Sequence, residues 1–421
     1  MPPTPSPLFT PTLSRRHFLR LAATGLSVAA SQPLHADWLR LKNHCLDPAA
    51  SPASALEQAA WQGINPVDWW DCHAHIVGSG DGGSGISLSP DLQSPFWHPW
   101  QYLQQRTFAN AACAETPGHQ DEAFVTRLRA LMASLPKGAK VLLYAFDKAH
   151  GASGEPDDAH TAYFVPNAYA QKLAQLYPDS FEWVASIHPY RADCVEVLAD
   201  AVAHGARAVK WLPSAMAIDP ASPQCGRFYR AAAQLNIPII SHGGEEKAMH
   251  GAAQAAFGNP LRLRRALDAG VRVVVAHCAS IGNDTDDNGK TVRSFDCFAK
   301  LMAEPQWQGR LFGDISAITM LNRDINVLKT LLTETAWHSR LLYGSDYPLP
   351  AVLPLISARD FAHEGLLPET AVAPLEALQD YHALRFDFVL KRHLSWQGKR
   401  FGDSVFATRQ FFSAPQDVGV V

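Results

Sequence analysis

Trp70-Asp71-Cys72-His73-Ala74-His75 is the stretch from which the rest of the 421-residue chain can be read. Along an extended strand, residues two apart point to the same side, so His73 and His75 present two imidazoles together. Three later runs end in the same fashion, an apolar stretch closed by a residue that can bind a metal. Ile239-Ile240-Ser241 ends in His242, Val275-Ala276 in His277 and Gly344-Ser345 in Asp346.

Working outward, eight short apolar or β-branched runs are predicted as strands: Pro66–His75, Lys140–Asp147, Phe181–His188, Ala206–Leu212, Ile237–His242, Arg272–His277, Arg310–Ser316 and Arg340–Asp346. Stretches of helical period separate most of them: Asn167–Leu176, Cys194–His204, Gln224–Leu235, Pro260–Ala269, Thr291–Ala303, Asp324–Thr335 and Val352–His363. Strands alternating with helices pair in parallel, and eight such units predict an α/β fold of the (β/α)8 TIM-barrel type. In a barrel the strand ends that carry these four sites converge on one mouth. An open doubly wound sheet has the same local pattern, but no dinucleotide or P-loop fingerprint is present. The glycine-rich run Gly78–Ser87 has no Gly-Lys-Ser/Thr after it and is expected to be a flexible loop.

The connection from Ile76 to Gly138 is long for a barrel, and insertions of that size are usually functional. It carries Phe96-Trp97-His98-Pro99-Trp100 and a helix-like run near Gln101–Cys113. The expected organisation is an export segment over residues 1–36, the barrel over 37–395 with its insertion at about 76–138, and a tail over 396–421. A terminal helix is expected over Ala371–Leu390.

The N-terminus reads as an address. Residues 1–13 are rich in Pro, Ser and Thr and are expected to be disordered. Ser14-Arg15-Arg16-His17-Phe18-Leu19-Arg20 then precedes a weakly apolar run, Leu21 to Ala30, too short to span a bilayer. Paired arginines before such a run resemble a twin-arginine signal, with cleavage after Ala30 or Ala36. The expected partner is the twin-arginine export machinery, and the expected location is the periplasm or beyond. No other segment reads as a membrane span. Disulfides are permitted there, but seven cysteines leave at least one unpaired within a monomer. With 36 Lys+Arg against 40 Asp+Glu the net charge is −4, so no basic surface points to nucleic acid. A small-molecule substrate is expected, and the oligomeric state stays open.

Neutral imidazoles with a carboxylate suit zinc or a similar divalent ion. Gly-x-Ser-x-Gly and His-Glu-x-x-His are both missing, so neither a serine hydrolase nor a helical zinc site is supported. Cys72 and Cys278 alternate away from the ligand positions along their strands and read as packed thiols.

The pieces Trp70–His75, Ala208-Val209-Lys210, Ser241-His242-Gly243, Ala276-His277 and Tyr343-Gly344-Ser345-Asp346-Tyr347-Pro348 together resemble the amidohydrolase superfamily, in its family-2 branch. The resemblance covers roughly residues 67–390. It implies that His73, His75, His242 and Asp346 bind one divalent ion, and that His277, with Asp346, deprotonates a water. A divalent ion lowers the pKa of the water it holds from about 15.7 to about 7, and an imidazole with a pKa near 6.5 can take that proton. Lys210 stands where other amidohydrolases bridge two ions, so a two-ion site would add Lys210 and His277 to the ligands. Arg191 and Glu246 are weaker candidates for substrate contact. The function implied is a metal-dependent hydrolase of an ester, lactone or amide. The alternatives are a metal-dependent decarboxylase of a small carboxylic acid, and a binding protein that kept the barrel.

Overall fold

The computed structural model describes residues 42–413, apart from 53, 247–248, 250 and 252–253. The expected export segment lies outside the described residues. All eight strands form: β1 (Trp70–His75), β2 (Lys140–Tyr144), β3 (Phe181–Val184), β4 (Val209–Trp211), β5 (Ile239–His242), β6 (Val273–Ala276), β7 (Leu311–Asp314) and β8 (Leu341–Leu342). β1–β2–β3 make one parallel sheet, and β4 through β8 make a second in chain order. Parallel bridges at Ala185–Val209 and Ala74–Tyr347 join the two sheets into a closed ring. At the second seam the Cys72 and His75 amides donate to the carbonyls of Tyr343 and Tyr347. Each of the seven stretches predicted as helical contains one, from Asn167–Leu176 to Ala358–His363.

The barrel interior is filled from almost every strand: Trp70, Cys72, Leu142, Tyr144, Val184, Ala208, Ile240, Val274, Ala276 and Leu342. Phe412, fully buried, and Phe411 join this cluster and stop its N-terminal end. The Thr408 hydroxyl ties this segment to the Trp70 backbone. The described part of the expected tail is therefore a plug, because an open barrel end would leave the rings of Trp70 and Phe312 in water.

Three local expectations change. The Gly78–Ser87 run is not loose. The Asp121 carboxylate accepts the amides of Ser79, Gly80 and Gly82 at 2.8–3.1 Å and the Ser84 hydroxyl at 2.6 Å. Asp81 in turn receives the first amides of a helix the sequence did not announce, Gln120–Ala133. That helix buries Phe124, Leu128, Leu131 and Met132, and the insertion's other helix, α1, spans Pro99–Ala111. Cys45 and Cys113 form a disulfide that anchors the end of α1 to the start of the described chain. The other five cysteines are free and buried. Among the described residues no helix is long and apolar enough to cross a membrane.

The terminal helix is split in two, Val372–Tyr381 and Ala383–His393. His382 breaks it. Its backbone is extended, its Nδ1 accepts the Arg385 amide, and its Nε2 donates to the Leu131 carbonyl at 2.9 Å. Both ring nitrogens are used by the neutral form. Burial, and then the charge of Arg385, pull its pKa from 6.5 to about 3. The unfolded chain binds this proton and the folded chain does not, so stability falls as pH drops from about 6.5 toward 3. His382→Asn keeps a cap without the titration. It should flatten the pH dependence of the unfolding free energy, read from urea titrations between about pH 6.5 and pH 4.5, by up to about 1.4 kcal/mol per pH unit.

Candidate metal centre

β1 delivers its two histidines through a bulge. Trp70 and Asp71 pair with Lys140 and Val141, but Ala74 and His75 pair with Leu143 and Tyr144, so β1 holds one extra residue. Before the bulge Trp70 and Cys72 face the interior; after it His73 and His75 do. Cys72 therefore shares the interior with the histidines instead of alternating away. It stays a packed thiol, pushed up by burial.

His73 is fully buried. Its Nδ1 lies 2.9 Å from Asp314 Oδ2, and its Nε2 lies 3.2 Å from Lys210 Nζ and 3.4 Å from Asp346 Oδ1. His75 Nε2 is 2.9 Å from the same Asp346 oxygen. His277 stacks on His73 at 4.8 Å, with Nδ1 2.8 Å from the Ser316 hydroxyl, 3.2 Å from the Ser316 carbonyl and 3.8 Å from Asp346 Oδ2. His73, His277 and Asp346 each offer a ligand atom, all within 4.8 Å of one another. His277, expected beside the site, is thus inside the cluster. His242 sits farther out, its ring 5.2 Å from that of His277 and its Nδ1 3.3 Å from Glu246 Oε2. Glu246 therefore reaches the mouth. Arg191 lies in the loop beyond β3 with its guanidinium engaged by Asp147 and Asp193.

The electrostatics suit a cation. Burial, and then the charge of Lys210, lower the pKa of His73 to about 4, and burial holds His277 well below 6.5. Both are neutral near pH 7, the form in which an imidazole can bind a metal. Burial alone would raise Asp346, but His277 and His73 outweigh it and keep the carboxyl well below its usual range. Burial also lowers Lys210. Asp346 Oδ1 and His75 Nδ1 are buried without a hydrogen-bond partner. A buried carboxylate oxygen with the imidazole nitrogens of His75 and His73 at 2.9 and 3.4 Å is a donor set that suits a divalent ion, so the residues fit such a group.

Two residues at the mouth went unannounced because they act through others. Asp314, at the end of β7, accepts the amides of His277 and Ser316 on Oδ1 at 2.9 and 3.0 Å and the His73 ring on Oδ2. Ser316 bridges both histidine rings. The strand-end rule that selected Asp346 applies equally to Asp314, so that signal was present. A third, Arg323, lies in the loop beyond β7 and carried no signal. It donates to Ser280 Oγ at 3.0 Å, while its Nε is buried without a partner. Its charge is felt by His242 and His277.

Behind the mouth, a second polar layer fixes the ends of β1 and β8. Asp71 Oδ1 accepts the amides of His73 and Ser345 at 3.1 and 2.8 Å. Fully buried Lys391 donates to the Gly344 carbonyl at 2.8 Å and to Asp387 at 2.7 Å. Gly344 allows the close approach, since a Cβ there would meet the His73 Cβ at 2.7 Å. Asp314→Asn should remove the acceptor that fixes the His73 tautomer. We expect zinc affinity, read by competition with a chelating dye, to fall about 10–100-fold. Unchanged affinity would show that Asp314 serves the backbone alone.

The model of the amidohydrolase-2 family matches residues 70–363. No curated protein matches the chain. Among solved structures, an uncharacterised TIM-barrel protein from Bordetella bronchiseptica is similar at 17% identity and TM-score 0.43, over 74% of this chain and 96% of that one. A putative 2-pyrone-4,6-dicarboxylic acid hydrolase from Pseudomonas putida is similar at 15% and 0.40, over 76% and 97%. A 2,6-dihydroxybenzoate decarboxylase from Rhizobium is similar at 14% and 0.37, over 76% and 98%. With the family match spanning most of the chain and the histidine and aspartate cluster at the mouth of its barrel, this protein belongs to the amidohydrolase-2 family.

Proposed function

We propose that the chain is a metal-dependent hydrolase that cleaves an ester, lactone or amide of a small molecule. The observation that carries this reading is the setting of His277. Its Nδ1 lies within reach of the Ser316 carbonyl, which accepts the ring proton and leaves Nε2 with its lone pair. A neutral imidazole so fixed, beside an ionised carboxylate, is equipped to take a proton from water. His73, His75 and Asp346 would hold one zinc-type ion, with His242 completing the set; two ions would draw in Lys210 and His277. Bound there, the ion supplies Lewis acidity and makes water a stronger acid.

The chain's own groups do the rest. Asp314 keeps the proton on His73 Nδ1, so that Nε2 faces Lys210 and Asp346. His277 accepts the proton of the attacking water and returns it to the leaving group. Lys210 and Arg323 offer positive charge where a carbonyl oxygen becomes anionic.

Arg323 favours a second reading. A guanidinium with a buried, unpartnered Nε at the mouth suits a substrate carboxylate. In a decarboxylase, His277 would instead manage the proton delivered to carbon.

One assay set separates these readings. The purified chain is analysed for metal by mass spectrometry, beside Asp346→Ala, and screened on lactones, esters, amides and aromatic carboxylic acids. Acid release without carbon dioxide, close to one ion per chain, and loss of the ion in Asp346→Ala are expected. His277→Ala should keep its metal and lose about 10²–10⁴ in kcat. Carbon dioxide formed in step with product would establish the lyase. Full activity in His277→Ala would remove His277 from both readings.

We also propose export by the twin-arginine route to the periplasm or beyond. The Cys45–Cys113 disulfide supports an oxidising destination. Replacing Arg15 and Arg16 by Lys should hold the protein in the cytoplasm, read by cell fractionation, whereas unchanged distribution would refute the address.

A further inference from the structure

We propose that the tip of the insertion after β1 docks the protein on an uncharged lipid surface. Four large apolar side chains crowd the segment from Phe96 to Leu103: Phe96 is 91% exposed, Trp97 85%, Leu103 52% and Trp100 51%. Only Ala109 and Ala111, in the last turn of α1, are buried within that helix. Large apolar side chains held in water are unfavourable unless something covers them, and several on one short segment mark an interaction site.

The tip has a fixed root. Cys113, just beyond α1, is bonded to Cys45. Asn110 accepts the Asn43 amide at 2.9 Å and donates to the Asn43 carbonyl at 3.2 Å. Asn43 in turn donates to the carbonyl of Ala351, in the loop that follows Asp346. The aromatic end of α1 therefore projects from an anchored base on the side of the barrel mouth.

Charge and size select the occupant. From Leu92 to Ala114 the sequence has no Asp or Glu and only one Lys or Arg, Arg106. Arg106 lies 3.5 Å from Glu115. Nucleic acid and anionic lipid call for clustered basic residues, which the tip lacks. A second protein surface needs roughly 20–30 residues a side, far more than this short segment presents. Trp97, Trp100 and Tyr102 combine apolar rings with one polar edge, the chemistry that settles at the boundary between headgroups and acyl chains. The complement is a zwitterionic bilayer, entered shallowly by the rings without help from charge.

The test is co-sedimentation of the purified full chain with phosphatidylcholine vesicles, for the parent and for Trp97→Ser/Trp100→Ser. The parent is expected to pellet with the vesicles, equally in about 0.5 M NaCl, where screening cuts electrostatic reach to a few ångström. The double replacement should weaken binding at least about tenfold, some 1.4 kcal/mol, and leave the thermal midpoint unmoved. The proposal is overturned if the parent stays in the supernatant at every lipid concentration, or if the double variant pellets equally. It is also overturned if sedimentation velocity without lipid reveals a dimer that the replacements dissolve, since the tip would then be a self-association face.

Discussion

One buried carboxylate, that of Asp314, joins three strand ends at the mouth of this barrel. Its two oxygens take the ring of His73 from β1, the amide of His277 after β6 and the amide of Ser316 after β7. Burial works against the charge, but the His73 ring and the donors gathered around it keep Asp314 ionised. A residue without an acceptor there would leave those donors unsatisfied in a dry interior, which costs about 1–3 kcal/mol for each group. The arrangement thus depends on a charge that is stable only because the strand ends converge on it.

The same carboxylate helps hold a strained backbone. His277, Cys278 and Ala279 are left-handed in succession, with φ of 55°, 49° and 50°. Ala317, at 52°, and Asp346, at 64°, share that region after β7 and β8. Non-glycine residues enter it at about 1–2 kcal/mol each, so the strand ends that carry the cluster hold part of the chain's backbone strain. The Asp346 amide donates to the His73 carbonyl at 2.8 Å, and the Cys278 thiol donates to the Asp314 carbonyl at 3.2 Å. These bonds let the turns present His277 and Asp346 to each other instead of relaxing. Behind them, the layer of Asp71, Asp387 and Lys391 supplies a rigid wall, with burial pushing Asp71 up to about 7.

Much of this was legible in the residues themselves. The strands were legible because the apolar runs are short and bounded, as in Val273–Ala276 and Ile239–His242. The seven helices between them were legible from their period. The cluster's members were legible because a polar residue that ends an apolar strand has few other reasons to be there, and His73, His277 and Asp346 do meet. The helix Gln120–Ala133 was missed inside a long insertion, although its apolar spacing is regular. The Gly78–Ser87 loop was misjudged because glycine signals freedom until a buried acceptor such as Asp121 collects its amides.

By itself the sequence determined the parallel eightfold alternation, the end of the barrel where the histidines and aspartates gather and the residue types able to hold a cation. These are local properties, set by periodicity and by the donor atoms of each side chain. Tertiary structure alone decided which of those residues approach each other. One extra residue in β1 turned Cys72 and His73 to the same interior, and the turn after β6 moved His277 into the cluster. Asp314, Ser316 and Arg323 became part of the mouth by closure of the ring, which brings together β1, β6 and β7, residues more than two hundred apart in the chain for the His73–Asp314 pair. No local pattern encodes such a contact, because its energy exists only once the barrel has closed and water has been removed from around the charge.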